Sequence, residues 1–167
     1  MKYTWTCKCC GQIFDTLPMS YGFSAPRNWF GLPEAERDTR AELGDDICII
    51  DRSERYVRGC VEIPVFGSSE GMIWGVWVSV SEESLRYILA RWNSPIAPDE
   101  PPRFGWLSTW IKGYPEPNEI QCDIFLRSDS LRPRIVLRPS EYPLAVEQHR
   151  GITLGRVEEI AAGAGHL

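Results

Sequence analysis

Apolar and polar positions alternate most cleanly over residues 56–80. Val57, Val61, Ile63 and Val65 share one face of a strand spanning residues 56–66, and Gly67-Ser68-Ser69-Glu70-Gly71 turns it onto a second strand, Met72–Val80. In that strand Trp74, Val76, Val78 and Val80 form a solidly apolar face, while Gly75, Trp77 and Ser79 form a mixed one. Shorter runs at Ile47–Ile50, 122–127 and 134–138 predict further strands. After Ser81 the period becomes helical. This serine suits an N-cap, Glu82 and Glu83 favour the positive end of the helix dipole, and Leu85, Ile88, Leu89 and Trp92 recur on one side. A short acidic helix is predicted from Pro33 to about Leu43, where the missing proline N–H costs nothing. A last helix is predicted over 153–162, with Leu154, Val157 and Ile160 on one side and Gly163 ending it.

These elements describe an α+β domain, a mostly antiparallel sheet with helices packed on one face and a zinc-knuckle-like turn near the N-terminus, about residues 5–14. Residues 15–32 read as an ordered loop anchored by Tyr21, Phe23, Trp29 and Phe30. Residues 95–102 hold four prolines and resemble a linker, yet the stretch is too short and too central to divide the chain, so residues 1–167 are taken as a single domain.

Composition narrows the functional classes. With 43% hydrophobic and 25% charged residues the chain lies in the globular range, and a net charge of −5 argues against general binding to a nucleic-acid backbone. The one basic run, Arg127, Arg132, Arg134 and Arg138, is interrupted by Asp123 and Asp129 and reads as a solvated face. No apolar run approaches the roughly 20 residues that cross a bilayer, and the first residues lack a secretion-signal apolar region, so a cytoplasmic location is expected.

Three of the six cysteines crowd into Cys7-Lys8-Cys9-Cys10-Gly11. Cys7 and Cys10 have knuckle spacing, in which a tight turn lets two thiolates converge on one zinc ion; Cys9 and Cys48 are further candidates, with Cys60, Cys122 and His149 also open. Only two histidines exist, so His149 would have to serve as base in any thiol or hydroxyl mechanism, and no partner lies near it in sequence. Glu62 shares a strand face with Arg58 and Cys60. It stands roughly 13 Å from Arg58, so each needs a partner on a neighbouring strand, with Trp77 in reach. Seven tryptophans, five of them between Trp74 and Trp110, suit a pocket or a partner surface.

In combination, Cys7-x-Cys9-Cys10-Gly11, Asp46-Ile47-Cys48-Ile49-Ile50-Asp51, Glu62-Ile63-Pro64-Val65, Trp74-Gly75-Val76-Trp77, Pro101-Pro102-Arg103-Phe104-Gly105-Trp106 and Gly113-Tyr114-Pro115 resemble the bacterial domain-of-unknown-function family 2199 over nearly the whole chain. The resemblance implies a bacterial single-domain protein and no particular activity. Similar members often carry histidines where Phe14 and Tyr142 stand here, which would leave this chain two potential metal ligands short. The expected function is a non-enzymatic module that binds a protein partner, such as an immunity or inhibitor protein, through Trp106, Trp110, Tyr114, Arg58, Glu62 and Trp77. The alternatives are a zinc-binding protein or metal-dependent enzyme using Cys7 and Cys10, and a small-molecule sensor built on an aromatic pocket.

Overall fold

A computed structural model describes residues 3–164. At the start, β1 (Trp5–Thr6) and β2 (Ile13–Phe14) pair antiparallel around the cysteine turn. The stretch expected to be loop carries β3 (Ser20–Gly22) and the single-turn helix α1 (Arg27–Phe30). The acidic helix shrinks to a 3-10 turn at Glu34–Glu36 and α2 (Arg37–Arg40), because β4 (Ala41–Leu43) pairs with β5 (Ile47–Ile50) and draws the chain into extended form. Then come β6 (Glu54–Ile63), β7 (Val65–Phe66), β8 (Met72–Val80) and α3 (Glu82–Arg91). Next are β9 (Arg103–Leu107), β10 (Gln121–Phe125) and β11 (Arg134–Leu137). The chain continues through α4 (Pro143–Arg150), β12 (Ile152–Thr153) and α5 (Leu154–Gly163).

The expected hairpin forms from Arg55↔Val80 to Ile63↔Met72, but its first strand ends at Ile63: past Pro64, Val65–Phe66 leaves to pair in parallel with Ile152–Thr153. Its sheet does not stay open, however. β8, β9, β10 and β11 follow one another antiparallel, and β11 returns to β6 in parallel at Arg134↔Cys60, where the Cys60 amide donates to the Pro133 carbonyl at 2.8 Å. The sheet is therefore largely a closed barrel, and its helices do not pack on one face: α3 lies near β6, α4 crosses β11 and β6, and α5 packs by β12 and the cysteine turn. Closure is permitted by glycine. A Cβ on Gly59 would stand 2.6 Å from Ile135 Cγ1 and 2.8 Å from the Pro133 carbonyl, and one on Gly105 would stand 2.9 Å from the Ser79 carbonyl.

Long strands serve two neighbours along one edge. β8 pairs with β3 around Trp74 and with β9 around Val78, while β6 pairs with β5 around Glu54–Val57 and with β11 at Cys60. The inner face holds Val57, Val61, Val76, Val78, Ile124 and Ile135, all fully buried. The mixed face of β8 is buried as well, since Trp77 packs with Cys48, Ile50 and Tyr56 beneath Trp29 and Leu32. Burying such a side chain contributes about 1.5–3 kcal/mol. The predicted Ser81 cap forms, its Oγ accepting from the Ser84 amide at 3.1 Å; α5 is capped likewise by Thr153 Oγ1, which accepts from the Arg156 amide at 3.1 Å, and runs through Gly163 to a cap at Ala164.

Candidate functional site

Two places concentrate chemistry, and they share α5. The first is the cysteine turn. The Cys7 amide donates to the Gln12 carbonyl and the Gly11 amide to the Cys7 carbonyl, both at 2.8 Å, with Gly11 at φ +73°, where glycine is favoured. Trp5 stacks on Phe14 at 5.3 Å, and Cys7 packs with Trp5 and Ala161 of α5. The Sγ atoms of Cys7, Cys9 and Cys10 lie within 4.8 Å of one another, and Cys7 Sγ is 3.0 Å from Cys9 Sγ. Of the two further candidates, Cys9 thus joins the cluster. Two thiolates on one tetrahedral zinc stand about 3.8 Å apart, given Zn–S bonds of about 2.3 Å, so the donor set suits a soft metal. Burial alone would raise the Cys7 thiol pKa. Hydrogen bonds from Cys9 and Cys10 outweigh it and hold Cys7 below the ordinary thiol range, while the bond to Cys7 pushes Cys9 up to about 11.

No fourth ligand joins this group among the described residues. Cys48 is buried in the separate cluster around Trp77, where burial pushes its thiol up to about 11. Cys122 lies in the barrel core, and burial pushes it up to about 12. Tyr142 is held in that core too, its hydroxyl donating to the Pro115 carbonyl at 2.9 Å. His149 Nε2 sits 2.6 Å from the Leu137 carbonyl and ties α4 to β11. His166 lies outside the described residues.

The second place is a cavity of about 510 Å³ between β3, the 111–114 segment and α5. On its floor Tyr21 stacks on Trp74 at 5.0 Å, Phe23 tilts against Trp74 at 6.3 Å, and Tyr114 meets Trp74 edge-on at 6.1 Å. The β3–β8 register places Tyr21 opposite Trp74, which is why those two rings share a face. Lys112, Arg156 and Glu159 add charge to the lining. Tyr114 donates to Glu147 Oε2 at 2.5 Å, and Arg156 Nε reaches Glu147 Oε1 at 2.8 Å and fixes the wall. Burial, and for Tyr114 the bond to Glu147, raise both phenols above their ordinary range, so both stay protonated near neutrality. Trp74 Nε1 and Tyr21 Oη are buried and have no hydrogen-bond partner among the described residues.

The residues singled out for a partner surface do not assemble into one patch. Trp77 is fully buried, its Nε1 donating to the Phe23 carbonyl at 2.8 Å, and Arg58 lies over its ring at 6.0 Å. Glu62 finds its partner not on a neighbouring strand but in Arg127, which lies beyond the end of β10 and whose Nη1 donates to it at 2.7 Å. Tyr114 belongs to the cavity. Trp106 and Trp110 are 38% and 55% exposed; Trp106 pairs edge-on with Phe104 at 5.1 Å, and Trp110 Nε1 donates to the Tyr114 carbonyl at 3.1 Å. The basic run is likewise spent within the fold, with Arg132 on Asp46 at 2.6 Å, Arg138 on Asp123 at 3.0 Å, and Arg134 over Phe125 at 4.8 Å.

A closed β-barrel carrying a cysteine turn and an aromatic cavity is the class that fold and sites define. The chain belongs to the family described as "Uncharacterized protein conserved in bacteria (DUF2199)", whose profile matches residues 6–152. No significant match emerges among curated proteins or solved structures. The matched span holds the cysteine turn and most of the cavity floor, while α5 follows it. No helix among the described residues is long and apolar enough to cross a membrane.

Proposed function

We propose that this chain is a small-molecule-binding domain whose ligand occupies the aromatic cavity. One observation carries the reading: two residues lining the cavity, Trp74 and Tyr21, hold buried polar atoms that no described residue satisfies. Leaving such an atom without a partner costs about 1–3 kcal/mol; Arg37 Nε and Arg58 Nε are unpartnered too, but of the four only the Trp74 and Tyr21 atoms belong to residues that line the cavity. The cavity volume falls in the range of ligand sites, and its lining is mostly apolar with a few polar groups. The reading is tested by extracting the protein purified from a bacterial cell and identifying bound small molecules by mass spectrometry. A stoichiometric compound retained by the native chain and lost from Trp74→Ala is expected; retention by both would overturn it.

A second reading, a protein-binding module of the immunity or inhibitor kind, rests on the exposed Phe104–Trp106 pair on β9, with Arg138 over Phe104 at 4.9 Å. Alanine at Trp106 and Trp110 would abolish capture of such a partner. The cysteine turn adds a structural reading: Cys7, Cys9 and Cys10 would hold zinc, supplying three of the four ligands a closed site needs. Elemental analysis of protein purified without chelator, compared with Cys7→Ser, tests this.

A further inference from the structure

Resting on the small-molecule reading, we infer that the cavity takes a flat, mostly apolar molecule bearing a carbonyl or carboxylate acceptor, and that this molecule displaces the Tyr21 ring from Trp74. Aromatic cages are also the usual receptors for ammonium groups, so the polar atoms must decide between the two classes. An indole N–H can only donate, and a protonated phenol with no acceptor nearby has a donor to offer. The Tyr21 hydroxyl could accept from an ammonium, but the Trp74 N–H cannot, and a cation beside it would leave it unpaired and face it with like polarity. An acceptor satisfies both groups.

Charge leaves the choice to the polar atoms. Arg156 already bonds Glu147 and Glu159, which occupies both acids next to the cavity. Lys112, by contrast, has no ion pair among the described residues. One guanidinium shared by two carboxylates leaves one negative charge over, which Lys112 balances, so net charge does not separate the classes. Being exposed, Lys112 contributes little, so it favours a carboxylate over a neutral carbonyl only slightly.

Access requires movement. Both unpartnered atoms are shielded in the stack, and Trp74 is only 4% exposed. Trp74 sits in a nine-residue strand paired along its whole length with β6, whereas Tyr21 sits on a three-residue edge strand. The ring that yields is Tyr21.

The experiment titrates fluorotryptophan-labelled protein with naphthoate, naphthamide and naphthylmethylammonium, which share one ring system. The Trp74 fluorine resonance is assigned from Trp74→Phe. Naphthoate and naphthamide are expected to shift that resonance, and calorimetric titration at a temperature where each variant is folded is expected to show Trp74→Phe and Tyr21→Phe each weakening naphthoate by about tenfold. Lys112→Ala is expected to weaken naphthoate by about threefold and leave naphthamide unaffected. Tighter binding of the ammonium, with the Trp74 resonance moving, would overturn the acceptor class while leaving the cavity a ligand site. No movement with any of the three at about 1 mM would overturn both.

Discussion

The cysteine turn and the aromatic cavity press on the same helix, yet they are built on opposite principles. Ala161 of α5 packs on Cys7, while Arg156, Glu159 and Ile160 of that helix line the cavity. The turn gathers three soft donors from four successive positions, and its own backbone hydrogen bonds shape it. The cavity draws its rings from β3, β8 and the segment after β9, so it exists only once the barrel does. A site of the first kind is cheap to assemble and gains from what it binds; one of the second kind is prepaid by the fold and loses everything with it.

This contrast can be broken from either side. The largest effect is expected at the cavity floor: Trp74→Ala removes a ring packed against Tyr21, Phe23 and Tyr114 and should destabilise the protein by about 3–5 kcal/mol in denaturant unfolding. A loss below about 1 kcal/mol would show that the floor is not part of the core. Tyr114→Phe keeps the ring but removes its bond to the Glu147 carboxylate, with an expected loss of about 1.5 kcal/mol in the same assay. Cys9→Ser should move the unfolding midpoint of metal-free protein by no more than about 0.5 kcal/mol, because the side chain is exposed. Zinc should raise the melting temperature of the native chain but not of Cys9→Ser; a rise in both would show that Cys9 is no ligand.

The smallest effect lies away from both sites and serves as their baseline. Arg40 forks onto Asp51 at 2.9 and 2.7 Å and holds its carboxyl below the usual range. A carboxylate with a lowered folded pKa stabilises the fold above its unfolded pKa, and that contribution is lost as pH falls through the folded value. The melting temperatures of the native chain and Asp51→Asn should therefore differ slightly near neutrality and converge in acid. A gap that widens in acid would contradict the pairing.

Legibility in the sequence follows the range over which residues act. The β6–β8 hairpin and the cap of α3 are written in adjacent residues; the cap forms as read, and the hairpin does up to Ile63, beyond which Val65–Phe66 pairs with distant β12. The cysteine turn is equally local, although the approach of Cys9 to Cys7 required the actual path of the backbone. β9 hides behind a proline-rich stretch and alternates exposed Phe104 and Trp106 with buried Gly105 and Leu107, a pattern easily taken for loop. α4 is short and buries only Leu144 and Ala145, so its period is faint; Pro143 at its first turn and Gly151 after its end were the available signals. Closure of the sheet was invisible because it depends on Gly59 and Ile135, whose contact no periodicity announces. The cavity followed that closure out of sight, and with it the burial of Tyr114.

The parallel seam at Arg134↔Cys60 also sets an order of events in the cell. Local hairpins form in microseconds, but a contact between such distant stretches waits for a long loop to close. A chain leaving the ribosome shapes its cysteine turn and the β6–β8 ribbon first. It cannot seal its wall until β11 has been made, long after β6, so the edges of the unfinished sheet stay unpaired in the meantime.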